Sequence, residues 1–355
     1  MLLVEPVYNF AVLGINAVLC LRILRKPTLV TFLIILMTSL AISLAIGIMI
    51  GAHGFLMLRL TCWGWLLQAP LLCLAMAYFA KRSKATNVMA AGIFLGIVGL
   101  LIAFDSAVLE PEWLQVSEYT ISSSRVHEDL TIAIVADLQT DHIGEYEERA
   151  FQTIADRKPD LVLFAGDYLQ LTRKIRDVEA TKLKRLTSDL ARQTPHGLFA
   201  VGGNTDTKWQ DLFPGDNCRI FPQTDTDTSS PIDVTGLTVP ASFDAAATIA
   251  RPSDRFHVVL GHSPDFALGS VDADLLVAGH THGGQVQLPF IGPLLTMSQV
   301  PRNWASGRTE LESNKTLIVS RGVGMERKDA PRVRFMCRPE IVYVTIMPSG
   351  SRIGP

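Results

Sequence analysis

The sequence predicts a helical membrane-spanning region of three to four helices over residues 1–110, followed by an α/β domain over 111–355 built as a layered α/β/β/α sandwich. Three observations carry this. Up to about Leu109 the chain is dominated by Leu, Ile, Ala, Val, Met and Phe, with charges nearly confined to short gaps, whereas charged residues are frequent afterwards. In the second part, short apolar runs alternate first with segments of helical period and later only with one another. Five of these runs end in polar residues that carry oxygen or nitrogen donors.

A membrane-crossing helix needs about 20 predominantly apolar residues. Residues 28–50, 60–80 and 87–108 meet that, and 7–20, bounded by Glu5 and Arg22, is a shorter fourth candidate. Three such spans in succession argue against buried core helices of a soluble domain. A signal peptide is disfavoured because a positively charged start and a clear small-residue cleavage site are missing. Arg22, Arg25 and Lys26 fill the first gap and Lys81, Arg82 and Lys84 the third, whereas the second offers only His53 and Arg59. The positive-inside rule therefore puts the first and third gaps in the cytoplasm and the following domain outside it, in a protein of the cytoplasmic membrane. Trp63 and Trp65 suit the outer membrane-water interface. The spans contain almost no interior charge, which disfavours a transporter.

In the second part, 113–121 reads as linker and first strand, with Trp113 near the membrane. Strands 132–136, 161–165 and 198–202 alternate with helices over 146–157 and 178–193. The first helix rests on Ala150, Phe151, Ile154 and Ala155, which share one face. From Cys218 onward the segments are short and β-like, with strands at 257–260, 275–278, 316–320 and 341–346, and 224–230 reads as an exposed loop. The formal net charge of -2 provides no field for nucleic acid, and the basic blocks at 173–176 and 182–185 read as solvated helix faces. Of five cysteines, Cys20, Cys62 and Cys73 lie in the spans as small hydrophobes, whereas Cys218 and Cys337 are free to pair in an oxidising compartment.

The five donor-bearing runs lead into Asp137-Leu138-Gln139, Gly166-Asp167, Gly203-Asn204-Thr205-Asp206, Gly261-His262-Ser263-Pro264 and Gly279-His280-Thr281-His282-Gly283-Gly284. Donors at the carboxyl ends of neighbouring strands converge on one crevice. Two imidazoles two residues apart beyond a strand point to one side of it. Singly, Asp137 and Asp167 read as helix caps, Asn204 as a turn residue and His262 as a turn histidine. Together, and in order, they read as a metal centre.

In that order the motifs resemble the calcineurin-like metallophosphoesterase family, whose pattern is Asp-x-His, Gly-Asp-x-x, Gly-Asn-His-Asp, a separate His, and Gly-His-x-His. The resemblance covers roughly residues 112–347, and Ser320-Arg321-Gly322-Val323-Gly324 with Pro339-Glu340-Ile341 is similar to its membrane-anchored bacterial branch. It implies the four-layer sandwich and two divalent ions, Mn, Fe, Mg or Zn. Asp137 and His282 would hold the first, Asn204, His262 and His280 the second, and Asp167 would bridge them. It further implies hydrolysis of a phosphoester or pyrophosphate bond by a metal-bridging hydroxide. The substrate would be a phosphate-containing small molecule or a lipid-linked phosphate beside the bilayer.

Two positions depart from the family, which has His where this chain has Gln139 and Thr205. Gln139 offers a carbonyl oxygen, a harder donor that tilts the first position toward Mn or Mg over Zn. Thr205 cannot protonate a leaving group, a role that contributes about 10²- to 10⁴-fold when an acid fills it. Asp206 is adjacent but badly directed for that task, His142 is a candidate to reach in, and Arg321 is a candidate phosphate ligand or a plain ion pair. The competing reading is a degenerate member that keeps metal and binds phosphate or a protein partner without turnover.

Overall fold

Buried on both faces, the central strands are short and, apart from His257, apolar at every position rather than alternating. The computed structural model describes residues 3–51, 54–171, 173–312 and 314–350. The chain divides into two units, Met1–Leu109 with Lys328–Arg332, and Glu110–Arg327 with Val333–Pro355. His53, counted above in the second gap, lies outside the described residues, as do the side chains of Arg173 and Lys174.

Among the described residues, four helices toward the N-terminus are long and apolar enough to cross a membrane by length and composition: Val4–Arg25, Leu29–Ile50, Gly54–Arg82 and Thr86–Glu112. The first extends beyond its apolar stretch at both ends, which makes it a full-length candidate. Small and polar residues seat the helices on one another, as is usual where apolar surface alone drives nothing. Ser39 donates to Asn16 Oδ1 at 2.6 Å, Gln68 to Asn9 Oδ1 at 2.6 Å, and Tyr8 to the Ser43 carbonyl at 3.0 Å. A side chain on Gly92 would sit 2.6 Å from the Cys73 carbonyl.

The second unit contains two six-stranded mixed sheets. One runs in the order Gln115–Ser123, Glu340–Pro348, Leu130–Val135, Leu161–Phe164, Leu198–Val201, Cys218–Phe221. The other runs Gly307–Glu312, Lys315–Val319, Leu275–Ala278, His257–Leu260, Asp233–Gly236, Asp225–Asp227. One core joins the sheets face to face, with Ile132, Leu163 and Phe199 from the first meeting Val258, Val277 and Ile318 from the second. On the outer face of the first sheet, helices Glu145–Asp156 and Arg173–Gln193 bury Ala150, Phe151, Ile154, Leu183 and Leu190 against Val135, Val162 and Ala200. The outer face of the second is covered by shorter pieces that include Val239–Ser242 and Pro264–Leu268. This is the expected four-layer α/β/β/α arrangement, with one outer layer thinner than the other.

Two expectations change. The 224–230 segment, read as loop, contains the edge strand Asp225–Asp227, which pairs with Asp233–Gly236 despite its acidic sequence because Thr226 meets the Thr235 hydroxyl at 2.7 Å. Cys218 and Cys337 are both free thiols. Cys337 is buried with its Sγ on the His282 carbonyl at 3.1 Å, whereas Cys218 opens an edge strand of the first sheet.

Candidate metal centre

Five loops at the carboxyl ends of strands from both sheets meet, and backbone hydrogen bonds continue the strand pairing into them. Asp137 N donates to the Gly166 carbonyl at 3.0 Å and Gln139 N to that of Asp167 at 2.8 Å; Gly279 N donates to that of His262 at 2.9 Å. His280 N crosses from the second sheet to the Asp137 carboxylate, at 3.1 and 2.9 Å from its two oxygens. Thr205 N donates to Asp167 Oδ1 at 2.9 Å. These contacts bring donor atoms of Asp137, Asp167 and His262 within 4.8 Å of one another, with all three side chains buried.

Backbone strain accompanies this convergence. Asp137, Gln139, Asp167, His280 and His282 all have positive φ, at 47°, 31°, 56°, 69° and 49°. Non-glycine residues pay about 1–3 kcal/mol each for such conformations, which persist where the surroundings over-determine them. Close approach requires glycine beside them. A side chain on Gly203 would lie 2.1 Å from Asp167 Oδ1, and one on Gly279 would lie 2.6 Å from Asp137 Oδ2.

The donor chemistry fits divalent cations. Burial, and next the Asp167 carboxylate, push the Asp137 acid well above its ordinary value, a repulsion that a cation between the two relieves. His262 Nδ1 faces the Ala165 carbonyl at 2.8 Å; because a carbonyl only accepts, a proton sits there, and Nε2 is the nitrogen turned toward the crevice. It faces Asn204 Oδ1 at 2.8 Å and Asp167 Oδ2 at 3.6 Å. His280 Nε2 lies 3.0 Å from the Met297 carbonyl, which likewise assigns its proton and leaves Nδ1 bare. Burial and the neighbouring His262 lower His280 to about 4, and burial with Arg334 lowers His282 well below the usual range, so both rings are neutral at ordinary pH. Gln139 Oε1, Thr205 Oγ1 and His282 Nδ1 are buried without a hydrogen-bond partner.

Three residues weighed from sequence for catalysis have other work here. The Asp206 carboxylate accepts from the backbone N–H groups of Asp167 at 2.8 Å, Tyr168 at 2.9 Å and Gly203 at 2.8 Å. It ties two of the loops together, and burial followed by the Asp167 charge raises its acid to about 7. Arg321 directs Nε and its backbone N–H at Glu340 Oε2, at 2.9 and 3.1 Å, so it is an ion pair with a buried partner. His142 pairs with Glu179 on the long helix at 3.4 Å, with its ring largely exposed, and does not supply the missing acid.

Motif reading missed a layer of residues behind the donors. Glu326 accepts from Gln139 Nε2 at 2.9 Å and from Gln170 Nε2 at 2.6 Å. Because a carboxylate only accepts, it fixes the Gln139 amide with nitrogen outward, and Oε1 is left as the buried, unpaired atom. Arg327 Nε holds the Gln139 carbonyl at 3.0 Å. Arg334 is fully buried, and its guanidinium donates to the carbonyls of Arg321, Gly322, Gly324 and Cys337. The loop it organises returns to the centre through Gly324 N, which donates to the Asp137 carbonyl at 2.7 Å. In sequence these residues sit in one charged stretch, 326–334, that looks like a solvated face.

Residues 130–284 match the calcineurin-like phosphoesterase family, a range that contains all five motif loops. The uncharacterized metallophosphoesterase YkuE of Bacillus subtilis (strain 168) is 29% identical over 254 residues, covering 67% of this chain and 87% of that protein. The uncharacterized metallophosphoesterase Cj0846 of Campylobacter jejuni is 25% identical over 300 residues, covering 77% and 75%. The phosphodiesterase YaeI of Escherichia coli (strain K12) is 25% identical over 218 residues, covering 54% and 72%.

Asp206→Ala would strip acceptors from three backbone N–H groups, and a buried donor left unpaired costs about 1–3 kcal/mol. The unfolding midpoint of the solubilised chain is expected to fall, by about 2–4 °C for each kcal/mol lost. A thermal scan that superimposes on the parent's would show that the carboxylate is not a strut.

Proposed function

Because the chain carries a calcineurin-like metallophosphoesterase domain, we propose that it is a membrane-anchored phosphoesterase working with two divalent ions. The observation that carries this reading is the convergence of two buried carboxylates and the buried His262 imidazole. Asp137, Gln139 and His282 would hold one ion, Asn204, His262 and His280 the other, with Asp167 shared between them. Paired divalent ions lower the pKa of a water and clamp phosphate oxygens. Everything else falls to the chain. The unpaired Gln139 Oε1 and His282 Nδ1 and the facing pair His262 Nε2 and Asn204 Oδ1 are the donor atoms this assignment needs.

An oxygen donor at Gln139, beside the Asp137 and Asp167 carboxylates, favours Mn or Mg over Zn at the first position. Thr205 hydrogen-bonds a phosphate oxygen through Oγ1, which has no protein partner, but contributes no proton. Bonds with a good leaving group, such as pyrophosphates and aryl or nucleotidyl esters, are therefore the ones cut. The missing acid also favours the second reading, a metal-retaining binder without turnover. The basic residues at Arg22, Arg25, Lys26 and at Lys81, Arg82, Lys84 support a domain on the opposite side of the membrane, facing extracytoplasmic or lipid-linked phosphates.

The full chain, solubilised and loaded with Mn, is expected to hold two ions and to hydrolyse an aryl phosphodiester, and Asp167→Ala to drop hydrolysis to the metal-free level. Two bound ions with no turnover above that variant would favour the binder instead. Thr205→His is expected to raise kcat on an alkyl diester by about 10²-fold, the lower range for a restored general acid. Its effect on an aryl diester should be much smaller. Equal effects on both substrates would remove the leaving-group argument. Glu326→Gln lets the Gln139 amide turn over. Supporting residues of this kind typically contribute about 10- to 100-fold to metal affinity, and calorimetric Mn titration should show that loss at one of two sites; a titration identical to the parent's would exclude the clamp.

A further inference from the structure

Among the described residues, the second unit leaves ten large apolar side chains exposed, and five of them, Phe290, Ile291, Leu294, Leu295 and Met297, lie in one short stretch. Phe290 and Ile291 form the tip of the hairpin made by Gln287–Leu288 and Gly292–Pro293, and Leu294, Leu295 and Met297 lie in the segment that follows it. From Gly283 to Pro301 the chain has no charged residue. Its tip is a turn in which Ile291 N donates to the Leu288 carbonyl at 3.2 Å, with Pro289 second and Phe290 third. Phe290 has φ of 66°, where such turns ordinarily place glycine, and its side chain is fully exposed. A bulky ring held out in a strained conformation gains nothing from water. The segment after the hairpin returns to the centre, because the Met297 carbonyl faces His280 Nε2 at 3.0 Å.

We propose that this hairpin dips into the surface of a lipid bilayer, with Phe290 and Ile291 leading. The occupant follows from the rest of the chain: four apolar helices of membrane-crossing length keep a bilayer within reach. An uncharged apolar tip is what partitions into the boundary between headgroups and acyl chains, typically about 5–10 Å deep. The inference rests on reading those helices as membrane spans. Seated there, the hairpin holds the His280 end of the centre at the level of headgroup phosphates, which narrows the substrate class to phosphate esters carried by lipids.

The test uses the full chain in phosphatidylglycerol and phosphatidylcholine nanodiscs, with or without brominated acyl chains. A nitrobenzoxadiazole label is placed on Phe290→Cys, on Ser229→Cys in a polar exposed loop, or on Phe94→Cys on the exposed face of helix Thr86–Phe104, with the labelled parent as blank. Bromine is expected to quench the label at 290 at least about twofold more than that at 229, as a tip in the acyl boundary requires. Quenching at 94 but not at 290 overturns the proposal and spares the helices. Quenching at neither overturns both. Loss of signal at 290 that follows the number of chains per disc rather than bromine assigns the tip to a second copy, and also overturns it. None of these readouts needs turnover, so an inactive enzyme leaves the proposal standing.

Discussion

Two carboxylates side by side in a dry crevice are the constraint around which the second unit is arranged. Asp137 and Asp167 are buried at the mouth of a sandwich whose walls are apolar, and the hydrogen bonds they accept come from backbone N–H groups of His280 and Thr205. Such groups orient a carboxylate without neutralising it. Parallel neighbours bring the two strand ends together, glycines at 203 and 279 allow the approach, and Asp206 and Arg334 fix the loops from behind. Each of these arrangements costs something alone, and a divalent cation bound there would offset them collectively.

Much of the fold was legible because its signals are local. The central strands read as apolar runs, and helix Glu145–Asp156 followed from the Ala150, Phe151 and Ile154 face. The short strand Asp225–Asp227 did not, since an acidic triplet reads as loop and only its partner strand gives it a ladder. Donors at strand ends were legible for the same reason that they are close together: topology places strand ends side by side. What lay beyond reading was the layer behind them. Glu326 lies far from Gln139 in sequence, and nothing in the 326–334 charges distinguishes a partly buried carboxylate holding two amides from a solvated one.

The three residues weighed for catalysis show the same limit from the other side. Proximity in sequence drew Asp206 toward the chemistry, yet both its oxygens are taken by the backbone. Arg321, read from sequence as either a phosphate ligand or an ion pair, is paired with Glu340. Residue type identifies what a group is able to do, and only its hydrogen bonds show whether it is free to do it.

At Asp137, Gln139, Asp167, His280 and His282 the left-handed backbone, rather than the side chain, decides where a donor stands. The main chain is a socket, and the side chain plugged into it is exchangeable. If Gln139 holds a metal as proposed, it is a change of hardness at a fixed address, reachable without redrawing the fold. A lineage built on such a socket would then be able to migrate between metals, and from fast turnover to slow, one codon at a time.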